Sequence, residues 1–342
     1  MQTSACLILV VRNQQSQVAR AISSLAMQDY PKHLTELVVV DNRSVDGTLH
    51  VLQEVAERMR KQGDRITVLE NDKTSLASGW NLAIRNTNAD FVCRIDAHAE
   101  LAINYLRLGI ETISCEGMQH CVCVGGVLES RGRGVGLSDA IAAAMSCPFG
   151  VGNSAFRVGV RGSHPIETDT AVYGVYRRAP IATDDMPFDE SLDRNQDIAL
   201  HHLLRRRGWT FFTNPQMRAA YYVRDALKPF LRKGFVDGYW VIRSGRFYAR
   251  HIVPLMFVIY LGIAIALATT LGLCVWVPLF VYALFAVAYS MLYGKSIPAK
   301  LVLPLLFYSL HVSYGTGSLV ALPRYASNVL LRLCRMVFFW KN

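Results

Sequence analysis

Apolar residues follow two regimes along this chain. Up to about residue 224, short apolar runs alternate with stretches of helical spacing; from Ile252 onward apolar residues run almost without interruption. In the first regime, 6–11, 36–41, 66–69 and 91–95 read as short buried strands. Between them, 17–27 carries Val18, Ile22, Leu25 and Ala26 on one helical face. A second helix opens at 44–47, with Ser44 as its N-cap, and runs to Lys61; a third covers 75–86. This alternation predicts an α/β domain with a parallel sheet covered on both faces. Beyond it the pattern predicts a helix over 101–114, a strand over 121–124 ahead of Gly125 and Gly126, and a mobile Gly/Arg-rich loop over 130–136. A loop over 149–156, a strand over 171–176 and an acidic loop over 184–192 follow. A helix over 197–207, closed by Gly208, completes this part.

The second regime begins with a basic amphipathic segment. Leu227, Phe230, Leu231, Phe235, Tyr239 and Ile242 form one stripe, and Lys228, Arg232, Lys233, Arg243 and Arg246 surround it. A stripe of this kind beside an apolar span predicts an interfacial helix over 225–251, with a helix packed on the domain core as the other reading. The runs 252–272 and 273–293 are each long enough to span a bilayer and read as a tight hairpin. The run 301–322 holds Pro304, His311, Gly315 and Gly317, and reads as a third span or a re-entrant segment. The expected organisation is therefore an α/β domain at 1–224, the interfacial helix at 225–251 and a membrane region at 252–342. Arg250, His251, Lys295 and Lys300 flank the hairpin on one side, which the positive-inside rule places in the cytoplasm with the N-terminal domain. The apolar run at 5–11 has no basic segment before it and is too short for a signal peptide.

The net charge of +10 points to phosphate-bearing or anionic partners. Its concentration near the apolar segments favours a membrane, and the chain has no zinc-finger spacing or RNA-binding signature, so no nucleic-acid partner is expected. Eight cysteines without a Cys-x-x-Cys pair fit a reducing compartment. Neither a dinucleotide fingerprint nor a P-loop is present.

The chemistry-bearing residues cluster at strand ends. Asp96 and His98, two apart on an extended chain, can share one divalent cation. Asp41 ends the second strand and suits a ribose hydroxyl or a base N–H, or serves as a turn residue. Arg12-Asn13 ends the first. In open α/β sheets ligands bind beyond these ends. Asp197, in the first turn of its helix, can project a carboxylate into a cleft. Lys73 can meet a diphosphate or remain solvated. Trp80 reads as packing, and His201-His202 as helix surface.

Leu9-Val10-Val11-Arg12-Asn13, Gln28-Asp29-Tyr30-Pro31, the run from Val39 to Thr48 and Arg94-Ile95-Asp96-Ala97-His98-Ala99 resemble glycosyltransferase family 2. Later on, the run from Ser146 to Asn153, Arg194-Asn195-Gln196-Asp197 and Gly238-Tyr239-Trp240 resemble the family too, and the whole set is similar to its bacterial exopolysaccharide branch. The resemblance implies a GT-A fold, a Rossmann-like and mostly parallel sheet. It also implies metal-dependent, inverting transfer of one sugar from a nucleotide diphosphate sugar, usually a uridine one, with Mg²⁺ or Mn²⁺. By it, Val11, Asn13, Asp41, Lys73 and Asp96 would bind the nucleotide sugar, Asp96 and His98 the cation, and Asp197 would be the catalytic base. Gln196, Trp209 and Trp240 would meet the acceptor, expected to be a lipid-linked saccharide at the cytoplasmic membrane. Gln196 stands where the family usually has Glu, and the processive Gln-x-x-Arg-Trp motif is absent. Two alternatives remain: a polyprenyl-phosphate sugar synthase, and a non-catalytic nucleotide-binding membrane subunit.

Overall fold

A computed structural model describes residues 3–132, 136–183 and 187–339. The chain divides into two compact units. One comprises Met1–Ser130 and Ser154–Tyr222; the other comprises Arg131–Asn153 and Val223–Asn342.

The first unit is built on one sheet. Its strands are β1 (Ala5–Val11), β2 (Thr35–Asp41), β3 (Arg65–Glu70), β4 (Phe91–Asp96), β5 (Ala99–Leu101), β6 (Cys121–Arg131), β7 (Ile166–Glu167), β8 (Val175–Arg177) and β9 (Thr210–Tyr222). They lie in the order β3-β2-β1-β4-β8-β6-β9-β5, with β7 also on β9. The first four are parallel, as the strand–helix alternation predicts, and the pairings from β4 to β8, β8 to β6, β9 to β5 and β9 to β7 are antiparallel. All seven residues of β1 are buried, as a central parallel strand requires. Helices α1 (Val18–Ala26), α2 (Thr48–Lys61), α3 (Leu76–Arg85) and α4 (Tyr105–Ser114) connect or follow the parallel strands.

Several local expectations shift. The second helix begins at Thr48 rather than Ser44, because the Asp41 carboxylate accepts the Ser44 N–H and the Ser44 hydroxyl accepts the Asn13 N–H, which holds 42–46 as a loop. The strand expected over 171–176 is confined to β8, since Tyr173 has a φ of 46°, which breaks an extended run. The long β9 lacks clean alternation, with Asn214 and Pro215 at its centre, and so is hidden from a periodicity reading. Residues 133–135 of the expected mobile loop and 184–186 of the acidic loop lie outside the described residues.

The second unit contains α5 (Leu137–Ser146) and α6 (Pro148–Val151), whereas α7 (Ala155–Val158), α8 (Arg178–Ile181) and α9 (Gln196–Arg206) belong to the first. Its remaining helices are α10 (Leu227–Ser244), α11 (Ala249–Leu271), α12 (Val277–Tyr293) and α13 (Ile297–Phe339). Three stretches, Ala249–Thr270, Gly272–Tyr293 and Ile297–Ser327, are long and apolar enough to cross a membrane. The third is part of one continuous helix with Pro304 and Pro323 inside it.

The α10 stripe has a partner in its own unit. Phe230, Gly234, Gly238, Val241 and Ile242 are buried. Gly234 faces Leu310 and Ser313, and Gly238 faces Tyr314 and Ser318, all on α13. Small residues let two helix backbones approach closely, which is how helices associate in membranes. Two residues of the stripe, Phe230 and Ile242, are thus covered, while Leu227, Lys228 and Arg232 are exposed. In the same unit, the Phe149 ring is ringed by Tyr282, Tyr289, Phe307 and His311.

Candidate active site

The register of the parallel strands collects the acids at one edge of the sheet. Val11 pairs with Asp41 across β1 and β2, and Val10 pairs with Asp96 across β1 and β4. Asp41 is buried; its Oδ2 accepts the Ser44 N–H at 2.9 Å, and its Oδ1 has no hydrogen-bond partner among the described residues. A buried carboxylate oxygen without a donor is costly, so this one is set for a ligand N–H or O–H. Asn13 sits at φ 53°, and its side-chain oxygen accepts the Val45 N–H at 2.9 Å. It thus braces the 42–46 loop beside Asp41. Val11 is buried and its carbonyl accepts the Asn42 N–H.

At the end of β4, Asp96 Oδ2 lies 3.9 Å from His98 Nε2 and accepts the Tyr173 hydroxyl at 3.4 Å. The His98 ring meets Tyr221 edge-on, with centroids 5.1 Å apart. No cluster of three or more His, Cys, Asp or Glu ligands exists among the described residues. Two protein ligands fit Mg²⁺ or Mn²⁺ of the kind that takes its remaining positions from phosphate and water. They do not fit a closed structural metal site.

Asp197 stands in the first turn of α9, set by Asn195 in the left-handed conformation before it. Its Oδ1 accepts the Ile198 N–H at 2.8 Å, and its Oδ2 lies 3.3 Å from Nη2 of Arg94. Arg94 is buried, with its guanidinium 3.9 Å over the Trp80 ring. Burial pushes the Asp197 carboxyl up, but Arg94, with smaller help from His201 and the Ile198 N–H, holds it below the ordinary carboxylate range. Asp197 is therefore ionised at neutral pH, with 31% of its side chain open to solvent. Since Arg94 and Asp96 are two apart on β4, Arg94 links the base candidate to the cation candidate.

Other expected residues have contacts of their own. Lys73 Nζ pairs with Glu190 at 2.6 Å, and Glu190 also accepts from Asn81. Gln196 is buried and donates to the Leu192 carbonyl at 2.8 Å. Trp209 packs against the core, and Trp240 lies on α10 in the second unit beside Tyr239. Trp80 packs against Phe188 and under Arg94, as read from its helix. His201 is not on a surface: it is fully buried between Thr170 and Tyr176, each at 2.7 Å. Sequence reasoning passed over the contacts of Arg94 and Tyr173. The one visible signal was an arginine inside an apolar strand.

Residues 6–137 match the model of glycosyl transferase family 2, and the chain carries a domain of that family. It is similar to the dolichyl N-acetyl-alpha-D-glucosaminyl phosphate 3-beta-D-2,3-diacetamido-2,3-dideoxy-beta-D-glucuronosyltransferase of Methanococcus voltae, with 27% identity over 90% of this chain and 94% of the relative. It is also similar to the succinoglycan biosynthesis protein ExoA of Rhizobium meliloti, with 25% identity over 92% of this chain and 94% of the relative. Among solved structures it resembles the mannosyltransferase PcManGT from Pyrobaculum calidifontis in complex with GDP-Man and Mn²⁺. The TM-score is 0.62 and the identity 16%, over 93% of this chain and 88% of that one. This likeness establishes the GT-A-like fold.

Proposed function

We propose that this protein is an inverting, membrane-associated glycosyltransferase. It moves one sugar from a nucleotide diphosphate sugar to a lipid-linked saccharide, with the sugar-transfer domain on the cytoplasmic face. The observation that carries this reading is the ionised, partly open Asp197 carboxylate coupled through Arg94 to the strand end that bears Asp96 and His98. Inverting transfer needs one base for the acceptor hydroxyl as it attacks the anomeric carbon, and charge compensation at the departing diphosphate. Asp197 takes the hydroxyl proton. Asp96 and His98 would hold a Mg²⁺ or Mn²⁺ ion, which supplies the charge compensation when bound. The unpartnered Asp41 oxygen accepts from the nucleoside, and Val11 and Asn13 shape that end of the site. No covalent nucleophile is required.

The relatives support the acceptor class, since one is named for a dolichyl-phosphate-linked sugar and the other for succinoglycan biosynthesis. Three apolar helices long enough to span a bilayer favour an acceptor that is itself anchored in lipid.

The test is sugar transfer by detergent-purified protein. Uridine and guanosine diphosphate sugars are screened with Mn²⁺ or Mg²⁺ against a polyprenyl-diphosphate monosaccharide, alongside Asp197→Asn. Metal-dependent transfer from one donor, with kcat reduced by about 10²–10⁴-fold in the variant, is the expected result. Nucleotide binding without transfer from any donor, with the variant indistinguishable from the parent, would overturn the reading.

A further inference from the structure

Arg157 lies on α7 and carries a guanidinium set against two aromatic rings. Its central carbon lies 4.7 Å from the centre of the Tyr221 ring and 5.6 Å from that of Phe156. Its Nη1 is shielded from solvent and has no hydrogen-bond partner, and the side chain makes no ion pair with any carboxylate among the described residues. A shielded N–H on a permanent cation costs more to leave unpaired than a neutral one, so the arrangement has a missing acceptor.

The surroundings say what that acceptor is. The Tyr221 ring that stacks under Arg157 is the ring that His98 meets edge-on at 5.1 Å. Tyr173, whose hydroxyl donates to Asp96, lies within electrostatic reach of Asp96, Tyr221 and Arg157 together. Arg157, His98 and Asp96 thus share one neighbourhood, joined by two tyrosines. Tyr173 reaches it from a left-handed backbone conformation, which a bulky residue adopts only where the surroundings hold it there. A carboxylate that is to take a divalent cation, with a fixed guanidinium close by, matches a ligand with several anionic oxygens. A planar guanidinium fork recognises phosphate oxygens in pairs.

We propose that Arg157 binds a phosphate of a diphosphate ligand next to the Asp96–His98 pair. The diphosphate would then meet two positive charges, the cation that Asp96 and His98 would hold and the Arg157 guanidinium, which does not dissociate with it. This assignment rests on the proposed glycosyltransferase reading. It places Arg157 on the group that leaves, or on the diphosphate of a lipid-linked acceptor, because both present the same chemistry.

The experiment is equilibrium binding to the full chain, kept in detergent for the nucleotide probes and reconstituted into the vesicles for the lipid probe. The probes are UDP and GDP with Mn²⁺, and phosphatidylcholine vesicles with and without polyprenyl diphosphate. Arg157→Gln and Arg157→Lys are compared with the parent, and thermal midpoints are recorded for each. Arg157→Gln is expected to weaken diphosphate binding at least tenfold with an unchanged midpoint, and Arg157→Lys to restore part of the loss. A loss confined to the nucleotides assigns the arginine to the donor; a loss confined to the lipid vesicles assigns it to the acceptor. If the parent binds a probe and both variants bind it equally well, Arg157 is only packing on Tyr221 and the assignment falls alone. If the parent binds none of the probes, the glycosyltransferase reading falls and takes this one with it.

Discussion

Arg94 and Asp197 stand 103 positions apart in the chain and meet with Nη2 3.3 Å from Oδ2, on a guanidinium whose central carbon lies 3.9 Å from the centre of the Trp80 ring. The contact sets the protonation state of the proposed base. Burial alone would raise the Asp197 carboxyl, and Arg94 is the largest influence opposing it. Replacement of Arg94 by Met keeps the bulk over Trp80 and removes the charge. The carboxyl of Asp197 then rises, because its neutral form is favoured in a shielded site. The acid limb of the kcat profile is expected to move to higher pH in Arg94→Met. Arg94→Lys should keep the limb near its parental position, since it keeps the positive charge. A profile of Arg94→Met with an unshifted acid limb would show that Asp197 is not the titrating base.

The parts of this site legible in the sequence share one property: their position follows from local pattern. Asp41 and Asp96 end apolar runs, so the parallel sheet puts both at its carboxyl edge. Asp197 opens a helix whose start and Gly208 stop are written in adjacent residues. What could not be read depends on contacts between distant segments. Arg94 is paired across 103 positions, and Tyr173 reaches Asp96 across 77. Lys73 finds Glu190 across 117. Periodicity also hid β9, and it left two readings open for the α10 stripe, because an apolar face does not state what covers it.

His201 shows the same limit and carries a pH dependence. Its ring is buried between the Thr170 and Tyr176 hydroxyls, and burial pushes its pKa from 6.5 down to about 3. The folded-state value lies below the unfolded one, so the unfolded chain binds the proton first. The stability linked to the neutral ring is fully present above about pH 6.5 and is lost progressively as the pH falls toward about 3. The loss is on the order of a few kcal/mol over that window. Thermal midpoints of the parent are expected to drop between pH 7.5 and 4.5 more steeply than those of His201→Gln. The variant should start lower at pH 7.5, because it leaves a hydroxyl unpaired. Parallel midpoint curves would mean that the buried ring is not the group that senses acid.

The contact between α10 and α13 makes the last prediction. A side chain on Gly238 would run into the backbone carbonyl of Tyr314, and one on Gly317 would run into that of Phe235. Backbone cannot move aside as the end of a flexible side chain can, so the helices must separate. Separation also breaks the hydrogen bonds donated by the Ser318 hydroxyl to the Gly238 carbonyl at 3.2 Å and by the Ser313 hydroxyl to Leu231 at 2.5 Å. Overpacking of a close contact costs about 1–3 kcal/mol. Gly238→Ala should therefore lower the thermal midpoint in detergent, and Gly238→Leu should lower it further or prevent isolation of folded protein. Gly262 has open space at the same test and serves as the control: Gly262→Ala should leave the midpoint unchanged or raise it, since alanine is the better helix former. Equal effects at 238 and 262 would show that α10 does not seat on α13 through its glycines.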